Sequence, residues 1–109
     1  MKIFLDTAVF EDIEKANQTG LIDGVTTNPS LILKSGGDPV ETIKKISGEF
    51  PFFESISAEV VADEALEMVE QAQAFKNLEN VTIKVPLTVE GLKACKMLTS
   101  DGFTEIRIA

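Results

Sequence analysis

Short apolar runs alternate along this chain with stretches that are hydrophobic on one side only. The runs that predict β-strands are residues 3–5, 22–27, 56–60, 81–85 and 104–108. After each of the first four, hydrophobic residues recur every three or four positions, which is the spacing of one helix face. The resulting order, βαβαβαβα followed by a fifth strand, predicts an α/β fold with a parallel sheet and right-handed crossovers.

Local signals mark where two of the helices begin. Asp38 precedes Pro39 and Glu41, which together give a capping side chain, a proline in the first turn and an early acid. Thr88 predicts a second N-cap. Before Asp38 we expect only a short turn through residues 31–33.

The helix faces can be assigned in the second half of the chain. The helix that begins near Asp63 has the most regular apolar stripe, made of Ala65, Met68, Val69, Ala72 and Phe75. In the helix after Thr88 we expect Leu92, Cys95 and Leu98 to point inward, so Cys95 is interpreted as a core residue.

Composition narrows the classes of function. The 109 residues are 44% hydrophobic and 26% charged, which is typical of one folded domain, here residues 1–109. A net charge of −8 argues against nucleic acid or an anionic membrane as a partner. The chain has no histidine and one cysteine, which excludes imidazole catalysis, zinc sites built on histidine and an internal disulfide. We therefore expect no metal and a reducing, cytoplasmic location.

Polar side chains follow the first four predicted strands at the edge of the sheet where α/β proteins place their sites. They are Asp6, then Thr26, Thr27 and Asn28, then Glu59, then Lys84. Because side chains alternate along a strand, the pattern places Asp6, Ser57, Glu59 and Lys84 on the face opposite the helices.

Each candidate also has a structural interpretation. In a central strand Lys84 is partly desolvated, which favours the neutral amine that attacks a carbonyl, whereas at a strand end it simply reaches water. Asp6 could cap the helix after the first strand, and Glu59 could form an ion pair with Lys84. Asn28 and Pro29 are typical of a turn.

Four segments resemble the small transaldolase family, which includes the fructose-6-phosphate aldolases. They are FLDTA at 4–8, GVTTNPSL at 24–31, SAEV at 57–60 and IKVPLTVEGLKA at 83–94. Their order and spacing match the family up to about residue 102. The resemblance implies a TIM-type (β/α)8 barrel, of which this chain would be a truncated N-terminal half.

The resemblance also implies catalytic roles in the transfer of a dihydroxyacetone unit between sugar phosphates, a reaction of the pentose phosphate pathway. Lys84 would form a Schiff base with the C2 carbonyl of a ketose phosphate, and Asp6 would take the C4 hydroxyl proton as the C3–C4 bond breaks. Glu59 would hold or protonate a catalytic water. Aldolase members typically carry Gln at this position, so Glu59 favours transaldolase over a fructose-6-phosphate aldolase-type lyase. No cofactor is implied, because the iminium accepts the electrons.

Substrate binding is implied for four further residues. Asn28 would bind a donor hydroxyl, Thr26 and Thr27 would shape the same pocket, and Ser57 is a further candidate. After residue 102 the chain departs from the family pattern, so we assign no phosphate-binding role to Arg107.

Two other interpretations stay open, together with an expectation about assembly. The chain could be a non-catalytic half-barrel that binds a partner. It could also be a flavodoxin-like receiver domain, although the paired acid and the acceptor Asp of receivers are missing. A half-barrel exposes two strand edges and a face on which we place Phe4 and Val25. We therefore expect a homo-oligomer or else a loosely packed, aggregation-prone chain.

Overall fold

The strands lie side by side in the order in which they occur in the sequence. The computed structural model describes all 109 residues and contains a single parallel sheet with the order β1-β2-β3-β4-β5. Its elements are β1 (Phe4–Asp6), α1 (Phe10–Asn17), β2 (Gly24–Thr26), α2 (Pro29–Lys34), α3 (Pro39–Glu49), β3 (Ser55–Glu59), α4 (Ala65–Ala72, continued by a 3₁₀ turn at Gln73–Phe75), β4 (Val81–Val85), α5 (Val89–Ser100) and β5 (Ile106–Ile108).

This topology confirms the predicted fold class, an α/β half-barrel built from parallel (β/α) units. In a (β/α)8 barrel each strand pairs with the next one along the chain, as β1 to β4 do here. A flavodoxin-like receiver has the order 2-1-3-4-5, so that interpretation is wrong. None of the helices has the length and apolar character needed to cross a bilayer.

The strand register separates the two faces of the sheet. Leu5 pairs with Val25, Val25 with Ile56, and Ile56 with Val81, so these four side chains share the face that the helices cover. Val25 is fully buried there. The expectation that Val25 lies on the open face with Phe4 is therefore wrong, because its register partners all belong to the core.

The core lies between the helix-facing side of the sheet and the helices. Its largest fully buried side chains come from three strands and four helices: Ile13, Val25, Ile46, Ile56, Met68, Ile83, Val85 and Leu98. Every buried side-chain nitrogen or oxygen has a hydrogen-bond partner. The helix layer thus supplies the apolar contacts, and the opposite face of the sheet is free to carry polar groups.

Both predicted helix starts are confirmed. The Asp38 Oδ1 atom accepts a hydrogen bond from the Val40 N–H at 3.0 Å, and α3 begins at Pro39. The Thr88 Oγ1 atom accepts from the Gly91 N–H at 2.9 Å, and α5 begins at the next residue, Val89. In each case the cap occupies a backbone N–H that has no partner within its helix.

Two local expectations are wrong. Residues 31–33 form part of the helix α2 rather than a turn, because the Asn28 side chain caps it and Pro29 occupies its first position. In α5, Leu92 is 50% exposed, and the buried stripe consists of Gly91, Ala94 and Leu98. Cys95 is half-buried against the core, as expected for a packing residue.

Gly91 is required by a close approach of two backbone segments. A Cβ atom at this position would overlap the carbonyl oxygen of Pro86, which belongs to the loop between β4 and α5. The start of α5 therefore packs directly against the residue that follows the Lys84 strand. The glycine therefore positions the helix that follows the candidate lysine.

We expect Gly91→Ala to destabilise the protein by about 1–3 kcal/mol, because the backbone must move to accommodate the methyl group. Gly48→Ala is the matched control, since Gly48 lies in α3 and nothing is within 4 Å of its Cβ position. That substitution should instead stabilise the helix by roughly 0.5–1 kcal/mol. Urea unfolding measures the free energy of unfolding of both variants. If both substitutions change the free energy of unfolding in the same direction and by similar amounts, the assigned contact between Gly91 and the Pro86 carbonyl is wrong.

Glu90 connects the starts of two neighbouring helices. Its Oε1 atom accepts from the Ala65 N–H at 3.2 Å, at the first residue of α4, and its Oε2 atom is 3.1 Å from the Lys93 Nζ atom. The Ala65 N–H, followed by the Lys93 ammonium, lowers the pKa of Glu90 below its ordinary value. A lowered pKa means that the carboxylate stabilises the folded state at neutral pH.

We expect Glu90→Gln to lower the melting temperature at pH 7, and the difference from wild type to shrink as the pH falls through the lowered pKa of Glu90. Protonated glutamate and glutamine are then equivalent in charge. Glu14→Gln is the control, because Glu14 is exposed in α1 and forms no ion pair. A difference between Glu90→Gln and wild type that is independent of pH would contradict the electrostatic role.

Candidate active site

The predicted site residues lie at the carboxyl edge of the sheet. Asp6 is the last residue of β1, Thr26 of β2 and Glu59 of β3, while Lys84 is the penultimate residue of β4. Asp6 is in register with Thr26, and Glu59 with Lys84. Alternation along the strands places these side chains on the face opposite the helices, as the sequence predicted.

Asp6 is held by its neighbour on β2. The Thr26 Oγ1 atom donates a hydrogen bond to the Asp6 Oδ1 atom at 2.9 Å. Asp6 does not cap α1, because the capping residue is Val9, and the Val9 N–H donates instead to the Thr7 Oγ1 atom at 3.1 Å. The helix-cap interpretation of Asp6 is therefore wrong, and its carboxylate is oriented by a hydroxyl while keeping one oxygen free.

Lys84 lies in an interior strand with no ion pair. It is half-buried between the buried residues Ile83 and Val85, and its strand is flanked by β3 and β5. The three ion pairs of the chain are Lys2–Glu54, Lys76–Asp101 and Lys93–Glu90. The predicted alternative of a structural Glu59–Lys84 ion pair is thus wrong, although the two residues are register neighbours.

Thr27 and Ser57 join β2 to β3 just below the edge. The Thr27 N–H donates to the Ser57 Oγ atom at 3.0 Å, and the Thr27 Oγ1 atom donates to the Ser57 carbonyl oxygen at 2.7 Å. Both residues are buried. Because these polar atoms are already engaged with one another, the two residues position the edge rather than present free groups to a ligand.

A hydroxyl pair on the open face was not among the predicted site residues. The Ser55 Oγ atom and the Thr82 Oγ1 atom lie 2.6 Å apart, and both residues are buried. Each is two positions before a predicted site residue, Ser57 or Lys84. Alternation of side chains was the signal that could have identified them.

Asn28 combines a structural contact with a place at the site. Its Oδ1 atom accepts from the Ser30 N–H at 2.9 Å and the Leu31 N–H at 3.3 Å, which starts α2. The side-chain amide group is left as a donor. Asn28 and Asp6 line one hollow of about 390 Å³ beside α2, so the structure brings these two predicted residues together.

Glu59 lines a different part of the edge. With Asp63, Thr88 and Glu90 among its neighbours, it borders a cleft of about 540 Å³ between the ends of β3 and β4. Neither Glu59 nor Lys84 lines the hollow that contains Asp6 and Asn28. Asp6, Glu59 and Lys84 therefore share one open sheet face, and neither of these two cavities is lined by all three.

Comparison with known proteins gives a consistent result. The family model described as Transaldolase/Fructose-6-phosphate aldolase matches residues 3–106. A probable transaldolase of Sinorhizobium medicae (strain WSM419) is 54% identical over 105 residues, which are 94% of this chain and 46% of that protein. A probable transaldolase of Brucella ovis (strain ATCC 25840 / 63/290 / NCTC 10512) is 50% identical over 103 residues, which again are 94% of this chain and 46% of that protein.

The chain spans about half the length of the curated relatives it matches. Within that span the match includes every strand from β1 to β4 and every predicted site residue. The strands also have the sequential parallel order of a (β/α)8 barrel. The chain therefore belongs to the transaldolase/fructose-6-phosphate aldolase family.

Proposed function

We propose that this chain carries the Schiff-base residues of a transaldolase-type enzyme that transfers a dihydroxyacetone unit between sugar phosphates in the pentose phosphate pathway. The observation that supports this most directly is Lys84. It is half-buried in an interior strand, forms no ion pair and shares its sheet face with Asp6 and Glu59. A lysine that has no counter-ion to hold its charged form and is partly removed from water is suited to nucleophilic attack on a carbonyl.

The first step uses the Lys84 Nζ lone pair. It attacks the C2 carbonyl carbon of a ketose phosphate, a C–N bond forms, and the carbonyl oxygen leaves as water. The resulting iminium accepts the electron pair of the C3–C4 bond when that bond breaks. The fragment that begins at C4 leaves as an aldehyde, and the bound fragment is then a three-carbon enamine. The reverse steps transfer that enamine to a second aldehyde, the acceptor.

Asp6 and Asn28 are suited to two tasks. These are the proton transfer that accompanies C3–C4 cleavage and the orientation of the substrate. The Asp6 carboxylate takes the C4 hydroxyl proton, and the Thr26 hydroxyl keeps that carboxylate oriented. Asn28, which borders the same hollow as Asp6, donates its free amide N–H to a hydroxyl of the three-carbon fragment on Lys84. Thr27 and Ser57 hold β2 and β3 together beneath these groups.

Glu59 distinguishes the two activities that the family name contains. Because it forms no ion pair, its carboxyl group is available to hold a catalytic water and, in its acid form, to donate a proton to the hydroxyl that leaves as water during iminium formation. Glutamine is the residue expected here for simple aldol cleavage. The glutamate therefore favours group transfer, and a fructose-6-phosphate aldolase-type lyase is the second candidate.

The remaining proposals concern the state of the protein. We take the chain as a single half-barrel domain of a cytoplasmic enzyme that acts on sugar phosphates. We expect it to form a homo-oligomer because β1 and β5 are unpaired sheet edges and exposed apolar residues, including Val61, Leu87 and Val89, surround the carboxyl edge. Sedimentation of the dilute chain should show a dimer or larger species, and a compact monomer would contradict this.

Borohydride trapping tests the proposed chemistry. We expect incubation with dihydroxyacetone and borohydride to add the mass of one reduced adduct to the wild-type chain, and peptide mapping to locate it at Lys84. Lys84→Ala should abolish the adduct, because the nucleophile is gone. Lys96→Ala is the matched control, since Lys96 is an exposed lysine of α5 without an ion pair. No adduct, or one that persists in Lys84→Ala, would instead support a non-catalytic half-barrel.

A further inference from the structure

Arg107 lies beside the candidate nucleophile, although the sequence prediction gave it no role. It is in register with Lys84, as the central residue of β5, and it is exposed. Lys84 is in turn in register with Glu59, so the three side chains form one row across the open face. Arg107 is also the only arginine in the chain.

Lys84 and Arg107 are neighbouring basic residues without an ion-pair partner. Neither Lys84 nor Arg107 belongs to any of the three ion pairs, although the chain has 18 acidic residues against 10 basic ones. Like charges directly opposite each other on paired strands are unfavourable. An anionic ligand between them would remove this repulsion, and the guanidinium is the side chain best suited to binding a carboxylate through two parallel hydrogen bonds.

The spacing of paired strands brings Lys84 and Arg107 within reach of one small ligand. Adjacent strands are about 4.8 Å apart, and a charge-assisted N–H···O bond spans about 2.8 Å. A carboxylate bonded to the carbonyl carbon that Lys84 attacks is therefore within reach of the Arg107 guanidinium.

We propose that Arg107 binds the carboxylate of a 2-oxo acid while Lys84 attacks the adjacent carbonyl. This inference rests on the proposed Schiff-base function of Lys84 and adds a substrate class to the same site. In the step, the Nζ atom forms a C–N bond to the 2-oxo carbon, the carbonyl oxygen leaves as water after taking up protons, and a protonated iminium results. The carboxylate stays bound to Arg107 and is not consumed.

The first test compares a charged and a neutral carbonyl compound in borohydride trapping. We expect pyruvate to be trapped on Lys84 of the wild-type chain. In Arg107→Gln the pyruvate concentration needed for half-maximal trapping should rise roughly tenfold or more, because a charge-assisted contact is lost. The concentration of neutral dihydroxyacetone needed for half-maximal trapping should change less than about twofold, which is smaller than the effect of losing one charged contact. Lys96→Gln, which removes a remote cation, should leave both unchanged.

The outcomes separate the two proposals. If dihydroxyacetone and pyruvate are both trapped and Arg107→Gln affects neither selectively, the role of Arg107 is wrong while the Schiff-base function stands. If no compound is trapped on Lys84, the proposed function fails.

A second measurement does not depend on covalent chemistry. Because the chain has one arginine, its NMR spectrum contains a single arginine Nε–H signal. We expect that signal to shift saturably when pyruvate is added to the wild-type chain, and also to Lys84→Ala, where no Schiff base can form. Equal concentrations of chloride should cause no comparable shift. An Nε–H signal that does not move with pyruvate in either protein would overturn the inference.

Discussion

The parallel register of the first four strands is the constraint on which the rest of this structure depends. Side chains alternate along a strand, so a slip of one residue would exchange its two faces. Val25, Ile56 and Ile83 are fully or almost fully buried against the helices. Their burial holds the register, and the register in turn places Asp6, Glu59 and Lys84 together on the opposite face.

Hydrogen bonds between strands make a polar sheet face compatible with a stable fold. Ser55, Ser57 and Thr82 are buried on that face, yet each hydroxyl has a partner on a neighbouring strand or at its end. An unsatisfied hydroxyl in such a position would be costly. The pairs therefore stabilise the sheet and keep the backbone beneath Asp6 and Lys84 in a defined position.

Secondary structure and site share residues at the carboxyl edge. The side-chain oxygen of Asn28 caps the start of α2, and the same residue lines the hollow beside Asp6. Gly91 lets α5 approach the Pro86 carbonyl immediately after the strand of Lys84. Changes at these positions would alter the fold and the candidate site together. Lys84 and Arg107 form a different kind of pair, since neither has an ion-pair partner and like charges side by side do not stabilise a sheet.

The sequence by itself determined the features that depend on neighbours along the chain. The strand 81–85, the caps Asp38 and Thr88 and the common face of Asp6, Glu59 and Lys84 all follow from local pattern, and the family resemblance is visible in short motifs. Only the tertiary structure decided what depends on contacts between distant segments. It placed Val25 in the core, left Glu59 and Lys84 without an ion pair and put Arg107 beside Lys84. Strand register and side-chain packing set these contacts, and neither is encoded in the spacing of residues along one segment.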